Sequence, residues 1–184
     1  MLLKYLMFTI SLAASAISVP YEYPVPPVTK PEVSLEKCQT EIALVKQPIV
    51  TSCNAGKVEE VKSHLYRVQK PVNTLSITFN THSSLTIEKD VYTKYSVQFI
   101  KVLIKFQSVL TVIYKYPNIK YGCNEVFAKF DYHFDIISTK LKKHGVEIYK
   151  KIYAESSFDW TIWESSGFKF YKKEGYSSSG TIGH

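Results

Sequence analysis

The fold of this chain is decided by residues 86–116, which read TIEKDVYTKYSVQFIKVLIKFQSVLTVIYKY. The stretch contains neither glycine nor proline. Its apolar side chains recur at steps of four, three, four and three residues: Phe99, Leu103, Phe106, Leu110 and Ile113. Further apolar residues, such as Ile100 and Val109, widen this row. Many of them are β-branched, so a pair of strands is an alternative, but the length favours one central, buried helix that ends at Pro117.

A second row of the same kind follows Pro117. It consists of Cys123, Phe127, Phe130, Phe134, Ile137 and Leu141, and Gly145 is placed to terminate its helix after a lysine-rich last turn. We therefore expect two helices, Thr86–Tyr116 and Gly122–His144, that bury their phenylalanine rows against each other. A shorter amphipathic segment follows, with Val146, Tyr149, Ile152 and Tyr153 on one face.

The N-terminal half predicts two more helices. The first carries the apolar row Leu35, Cys38, Ile42 and Val45, is capped by Ser34 and stops at Pro48; the second carries Val58, Val61, Leu65 and Val68, is capped by Asn54 and closes at Pro71. Residues 72–86 alternate between apolar and polar side chains, which is typical of a short strand or an extended crossover. We expect this connection to pack against the helices, because a single strand is not stable alone.

These patterns together predict an all-α protein, an antiparallel bundle of four or five helices. The sequence predicts that the chain divides into four regions. They are a signal peptide at residues 1–16, an extended proline-rich segment at 17–33, the helical bundle domain at 34–171 and a disordered tail at 172–184. The proline-rich segment is interpreted as a spacer, with a proline-rich recognition motif as the alternative.

The first sixteen residues have the form of a secretory signal. Lys4 provides the positive charge, Tyr5 to Leu12 are nearly all apolar, and Ala14-Ser15-Ala16 is the small-residue pattern that signal peptidase cleaves. We therefore expect a secreted, extracellular protein, with an uncleaved N-terminal anchor as the alternative. The apolar run is too short to span a bilayer, and no later transmembrane segment is expected because Lys101 and Lys105 interrupt the most apolar stretch.

Three cysteines suggest one disulfide and one remaining thiol in an oxidising compartment. In an up-and-down bundle, Cys53 precedes the second helix and Cys123 opens the fourth, so both lie at the same pole. Cys38 lies near the opposite end of the first helix. The topology therefore predicts a Cys53–Cys123 disulfide, with Cys38 as the other candidate partner if the first helix packs differently.

The C-terminal region is rich in aromatic and basic residues. The rings between Phe158 and Tyr171 are expected to form a flap that folds over one end of the bundle, with an exposed binding patch as the alternative. Lysines lie beside several of the rings. The candidate surface for a ligand or partner therefore consists of Tyr149, Tyr153, Trp160, Trp163, Lys150 and Lys151.

We find no motif for catalysis, metal binding or a cofactor. The histidines are scattered, the glycines form no phosphate-binding loop, and no cysteine or serine has the context of a nucleophile. The net charge of +7 favours anionic partners, while secretion argues against nucleic acid. The expected function is a secreted, non-enzymatic interaction protein, effector-like or associated with the cell surface, that binds an extracellular protein, a glycan or an anionic surface. The alternative is a carrier of a lipid or similar apolar ligand in the bundle core.

Overall fold

The computed structural model describes residues 30–81 and 89–172, and every regular element in these two ranges is a helix. The predicted all-α fold is confirmed for this part of the chain. The predicted signal peptide, nearly all of the proline-rich segment and residues 173–184 of the predicted tail lie outside the described residues. In chain order the helices are α1 (Pro31–Asn54), α2 (Val58–Thr81), α3 (Lys89–Tyr114), α4 (Pro117–Gly122), α5 (Asn124–Lys143), α6 (Ile148–Tyr153) and α7 (Trp160–Ser165).

Helices α3 and α5 confirm the central expectation of the sequence. Phe99, Phe106, Phe127, Phe130 and Phe134 are all buried. The rings of Phe106 and Phe130 lie 4.4 Å apart between centroids, and those of Phe99 and Phe134 lie 6.0 Å apart. Gly145 ends α5 as predicted, because its φ of 76° is a conformation that a residue with a Cβ rarely adopts.

The expected helix ends at Pro48 and Pro71 were wrong. Both prolines lie inside their helices, α1 and α2. An interior proline costs about 3 kcal/mol, but the apolar row continues beyond each one: Ile49 and Cys53 are buried in α1, and Leu75 and Phe79 in α2. Burial of these side chains offsets the lost hydrogen bond.

The strand or extended crossover predicted for residues 72–86 is likewise wrong over its described part. Residues 72–81 continue α2, and residues 82–86 lie outside the description. Leu75 and Phe79 belong to both an alternating and a helical spacing, and the helical one continues the row of Val61, Leu65, Val68 and Val72. Ile77, which the alternation placed with them, is half exposed.

Helix α1 begins three residues before the expected cap, at Pro31. Proline suits the first position of a helix because its missing N–H would have no partner there. Residues 31–33 are therefore helical rather than part of the extended segment. Ser34 lies inside the helix, with its hydroxyl 3.5 Å from that of Thr78 in α2.

Three pairs among the four long helices pack closely, and a fourth pair meets through aromatic side chains. Helix α1 packs against both α2 and α3, α2 packs against α5, and the phenylalanine rows join α5 to α3. Their buried apolar side chains form one continuous core that reaches from Leu35 to Tyr171. Only three residues, 55–57, connect α1 to α2.

The rings of the C-terminal segment, which we define as residues 154–172, are buried as expected for a flap. Phe158, Trp163, Phe168, Phe170 and Tyr171 are at most 5% exposed. Their position differs from the prediction, because Trp163 and Phe168 contact Phe106 and Phe134 in the middle of α3 and α5. The segment thus covers the side of this helix pair rather than one end. Phe106 and Phe134 therefore contact the segment as well as each other.

Two polar side chains hold the C-terminal segment in place. Gln107 of α3 donates to the carbonyl of Ser157 at 2.8 Å and accepts from the backbone N–H of Asp159 and the indole of Trp163 at 2.7 and 2.8 Å. Asp131 of α5 accepts from the backbone N–H groups of Lys169 and Phe170, both at 2.8 Å. The segment is therefore fixed to both helices that it covers.

Within the described residues, α3 is the one helix long and apolar enough to cross a membrane by length and composition. Half of its most apolar stretch is buried inside the protein, as in the core helix of a globular domain. The expectation that the chain has no transmembrane segment stays a prediction.

Candidate functional site

The candidate surface from the sequence is largely inaccessible in the structure. Trp163 is fully buried and Tyr149 is 3% exposed, so neither ring is free to contact a partner. Trp160 is half-buried and stacks on Tyr153 with ring centroids 4.4 Å apart. The aromatic rings of this surface contribute mainly to the core.

The lysines of the same surface are partly neutralised. The Lys150 ammonium lies 2.8 Å from the Glu147 carboxylate one helical turn away. Lys151 is half-exposed on the same short helix, α6. This face therefore offers less accessible aromatic surface and less uncompensated charge than the sequence suggested.

A more strongly basic cleft lies between α1 and α2. We call it the basic groove and define it by Lys37, Glu41, Arg67, Lys70, Pro71 and Thr74, which line a space of about 300 Å³. Lys37 and Glu41 are one turn apart on α1, as are Lys70 and Thr74 on α2, so each helix presents one edge to the groove. Buried Pro71 lies among these polar residues, because α2 continues through it.

The charges in the basic groove are only partly compensated. Arg67 lies 3.6 Å from Glu41, the one acidic residue of the lining. Over residues 30–81 and 89–172, the structure gives Lys37 and Lys70 no carboxylate within ion-pair distance. Three cations against one carboxylate make this cleft suited to an anionic group.

Sequence reasoning missed the basic groove because it ended the second helix at Pro71. Thr74 then belonged to a strand, and Lys70 to a helix terminus. The signal that was present is the continuation of the apolar row through Pro71 to Leu75 and Phe79, which places residues 67, 70, 71 and 74 on one helical edge.

A serine and a histidine meet in a smaller cleft of about 180 Å³ between α2 and α5. The Ser76 hydroxyl donates to the carbonyl of Asn73 at 2.8 Å and lies 3.0 Å from Nδ1 of His133. Nε2 of His133 lies 3.5 Å from the Gln69 amide. A Ser76 hydroxyl that donates to Asn73 accepts from Nδ1–H of His133, and in that tautomer the imidazole does not activate Ser76 as a nucleophile.

We expect the protein to lose stability as the pH falls from 7.5 to 5.5. Burial lowers the pKa of His133, and burial together with the nearby Lys140 lowers the pKa of His144, whose ring stacks on Tyr92. Histidines with a lowered pKa bind protons more readily when the chain is unfolded, so the stability present above about pH 6.5 is lost on acidification. The groups facing His133 are the uncharged Gln69, Ser76 and Tyr132.

Urea unfolding at several pH values measures this effect. The His133→Gln variant should show a weaker dependence on pH than the wild type, since the change is bounded by about 1.4 kcal/mol per pH unit for each titrating group. Equal slopes for both proteins would contradict the assignment to His133.

All three cysteines are buried free thiols in the structure, so the predicted Cys53–Cys123 disulfide is not formed there. The predicted common pole is nevertheless observed. Cys53 lies beside Ile119, whose carbonyl accepts the backbone N–H of Cys123 at 3.0 Å. Burial, and secondly the charge of a Cys53 thiolate, raises the pKa of Cys123 to about 12. Pairing of these two thiols under oxidising conditions stays a prediction. Burial also raises the pKa of Cys38 to about 12.

No group of three or more histidine, cysteine or acidic side chains is placed to hold a metal ion in the described parts of the chain. Comparisons of the chain with family models, with curated proteins and with solved structures give no match. Function must therefore be inferred from the chemistry of the molecule itself.

Proposed function

We propose that this chain is a secreted, non-enzymatic interaction protein whose basic groove binds an anionic extracellular partner. Its four long helices, α1, α2, α3 and α5, would form an antiparallel bundle that displays the groove on the α1–α2 face. The observation that carries the proposal is that Lys37 and Lys70 lie beside Arg67 in one cleft and have no carboxylate partner among the described residues. Secretion is supported by the signal-like composition of residues 1–16.

The polar groups of the α2–α5 cleft support a non-enzymatic role. Ser76 and His133 form a contact that resembles a nucleophile and its base. The Ser76 hydroxyl also lies 2.8 Å from the backbone carbonyl of Asn73, an acceptor that competes with the imidazole for its proton. In a hydrolytic dyad the imidazole has to receive that proton.

The aromatic core favours the interaction role over the carrier role. A lipid carrier needs a space lined by apolar side chains. Here the rings that would line such a space contact one another and the C-terminal segment: Phe106 lies 4.4 Å from Phe130 and about 6 Å from Trp163 and Phe168, centroid to centroid. The side chains of this chain therefore occupy the volume that a ligand would need.

Two double variants test the proposed site. Lys37→Gln/Lys70→Gln removes two positive charges from the basic groove, and Lys150→Gln/Lys151→Gln removes two from the C-terminal face. Binding to heparin, to anionic vesicles and to polyglutamate is measured for each variant at fixed ionic strength. We expect the groove variant to lose about tenfold or more in affinity, since each lysine makes a charge-assisted contact, while the control changes little.

Both variants lower the net charge equally, so a nonspecific attraction of a basic protein predicts equal losses. Equal losses, or a larger loss in the Lys150/Lys151 variant, would place the site elsewhere. Absence of binding to all three probes would overturn the proposed function. Unchanged circular dichroism establishes that each variant is folded.

A further inference from the structure

A second cleft lies along α2 and shares two residues with the basic groove. Its lining consists of Glu59, Lys62, Ser63, Tyr66, Arg67 and Lys70, and its volume is about 310 Å³. We call it the Tyr66 cleft. Because Arg67 and Lys70 line both clefts, these two side chains form the wall between them.

Arg67 is the only arginine of the chain, among 23 basic residues. Its side chain is half-exposed, and its contact with Glu41 is a single one at 3.6 Å. The guanidinium has five N–H donors in a planar fork that matches the oxygens of an oxyanion, which a lysine ammonium does not. The position of Arg67 in the wall makes it accessible from both clefts.

The Tyr66 cleft adds an aromatic ring to the cations. Tyr66 is half-buried, and the Lys129 ammonium lies 5.3 Å from its ring centroid. Lys62 lies 3.0 Å from Glu59, and Lys129 lies 2.8 Å from Glu125, so the charges around the ring are largely balanced. A ring with an apolar face and a polar hydroxyl suits a ligand that is itself both apolar and polar.

We propose that the partner of the basic groove is a linear sulfated polysaccharide that crosses α2 at Arg67 and Lys70 and occupies both clefts. This inference rests on the proposed function and names its ligand. A single anion fills only one cleft. A sugar chain carries anionic groups at intervals, with rings between them that are able to lie against Tyr66.

The spread of cations over both clefts favours a chain over a membrane surface. A lipid bilayer presents its headgroups in a plane and would contact the exposed wall residues, but it would leave Lys37 and Lys62, on opposite sides of that wall, less engaged. A sulfate ester provides three acceptor oxygens, which match the donors of Arg67 and the neighbouring ammonium groups. Only an extended ligand can contact both clefts and the two side chains between them at the same time.

Size-defined heparin oligosaccharides, from disaccharide to decasaccharide, test the inference by titration calorimetry. We expect affinity to rise with length until the chain reaches both clefts and then to level off. Lys37→Gln, which alters the basic groove alone, and Lys62→Gln, which alters the Tyr66 cleft alone, should each weaken this rise. Lys37→Gln should also reduce the slope of log affinity against log salt by roughly one, as expected for one lost ionic contact with a polyanion.

Arg67→Lys tests the guanidinium most specifically, because it leaves the net charge unchanged. We expect about a tenfold loss of affinity for the long oligosaccharides, since the fork is lost while the charge remains. A Lys143→Arg variant, which adds a guanidinium elsewhere on the surface, provides the matched control and should bind like the wild type.

The outcomes separate the inference from the proposed function. Binding to anionic vesicles, polyglutamate or duplex DNA that exceeds binding to the oligosaccharides would overturn the polysaccharide and leave an anionic partner in the groove. Affinity independent of oligosaccharide length, or an Arg67→Lys variant that binds like the wild type, would also overturn it. Failure of every anionic probe would overturn both.

Discussion

Replacing Trp163 with alanine is expected to destabilise the protein by about 3–5 kcal/mol, the usual cost of deleting a large buried aromatic side chain. Trp163 is fully buried, and its ring packs on Phe158 at 5.0 Å and on Phe168 at 4.8 Å, centroid to centroid. Its indole N–H also donates to Gln107. Urea unfolding followed by circular dichroism measures the free energy of unfolding of the variant and the wild type.

Trp160→Ala is the matched control for this prediction. Trp160 is the other tryptophan of the chain, but it is only half-buried. We expect its replacement to cost clearly less than that of Trp163. A Trp163→Ala variant within 1 kcal/mol of the wild type would show that the C-terminal segment is not part of the core.

Replacing Gly122 with alanine is expected to destabilise the protein by about 1–3 kcal/mol, the range for overpacking of a close contact. A Cβ added at this position would lie 2.5 Å from a methyl group of Val58. Valine is β-branched and has few alternative rotamers in a helix, so relief requires α4 and α2 to move apart. Thermal or urea unfolding provides the measurement.

The second substitution Val58→Ala should rescue Gly122→Ala. It removes the methyl group that the new Cβ would meet, so the double variant should be more stable than the sum of the two single effects implies. Additive effects would indicate that α2 and the end of α4 are not in contact. Gly56 serves as a comparison, because its positive φ of 68° strains any replacement although its surroundings are open.

The helices with unbroken apolar rows were predictable from the sequence. In α3 and α5 the apolar side chains recur at helical spacing, from Phe99 to Ile113 and from Phe127 to Leu141, and no proline interrupts them. Burial of such a row is sufficient to select the helix, because few other structures hide it. The all-α fold class was predictable from these two segments together with the apolar rows from Leu35 to Val45 and from Val58 to Val68.

The helix ends in the N-terminal half were not predictable by local rules. Pro48 and Pro71 are strong local signals, but the side chains that outweigh them, Cys53, Leu75 and Phe79, obtain their partners only from other helices. Local propensity is a weak guide where tertiary burial opposes it. The basic groove was missed for the same reason, since it exists only where α1 and the continued α2 lie side by side.

The position of the C-terminal segment also depends on tertiary structure. The sequence shows that its rings need burial, but it does not show which surface remains uncovered. That surface is the side of the α3–α5 pair. Gln107 and Asp131 lie on it and form hydrogen bonds with the segment. Neither residue stands out in the sequence, because isolated polar residues on a helix are usually exposed to water.

The attachment of the C-terminal segment to Gln107 and Asp131 has a consequence for synthesis on the ribosome. Translation proceeds from the N-terminus, so α3 and α5 emerge before the rings that cover them. Until residues 158–171 have left the exit tunnel, part of the phenylalanine surface faces water and is prone to aggregate. The nascent protein therefore remains vulnerable until residues 158–171 are made, and a premature stop codon after α6 would yield an aggregation-prone product.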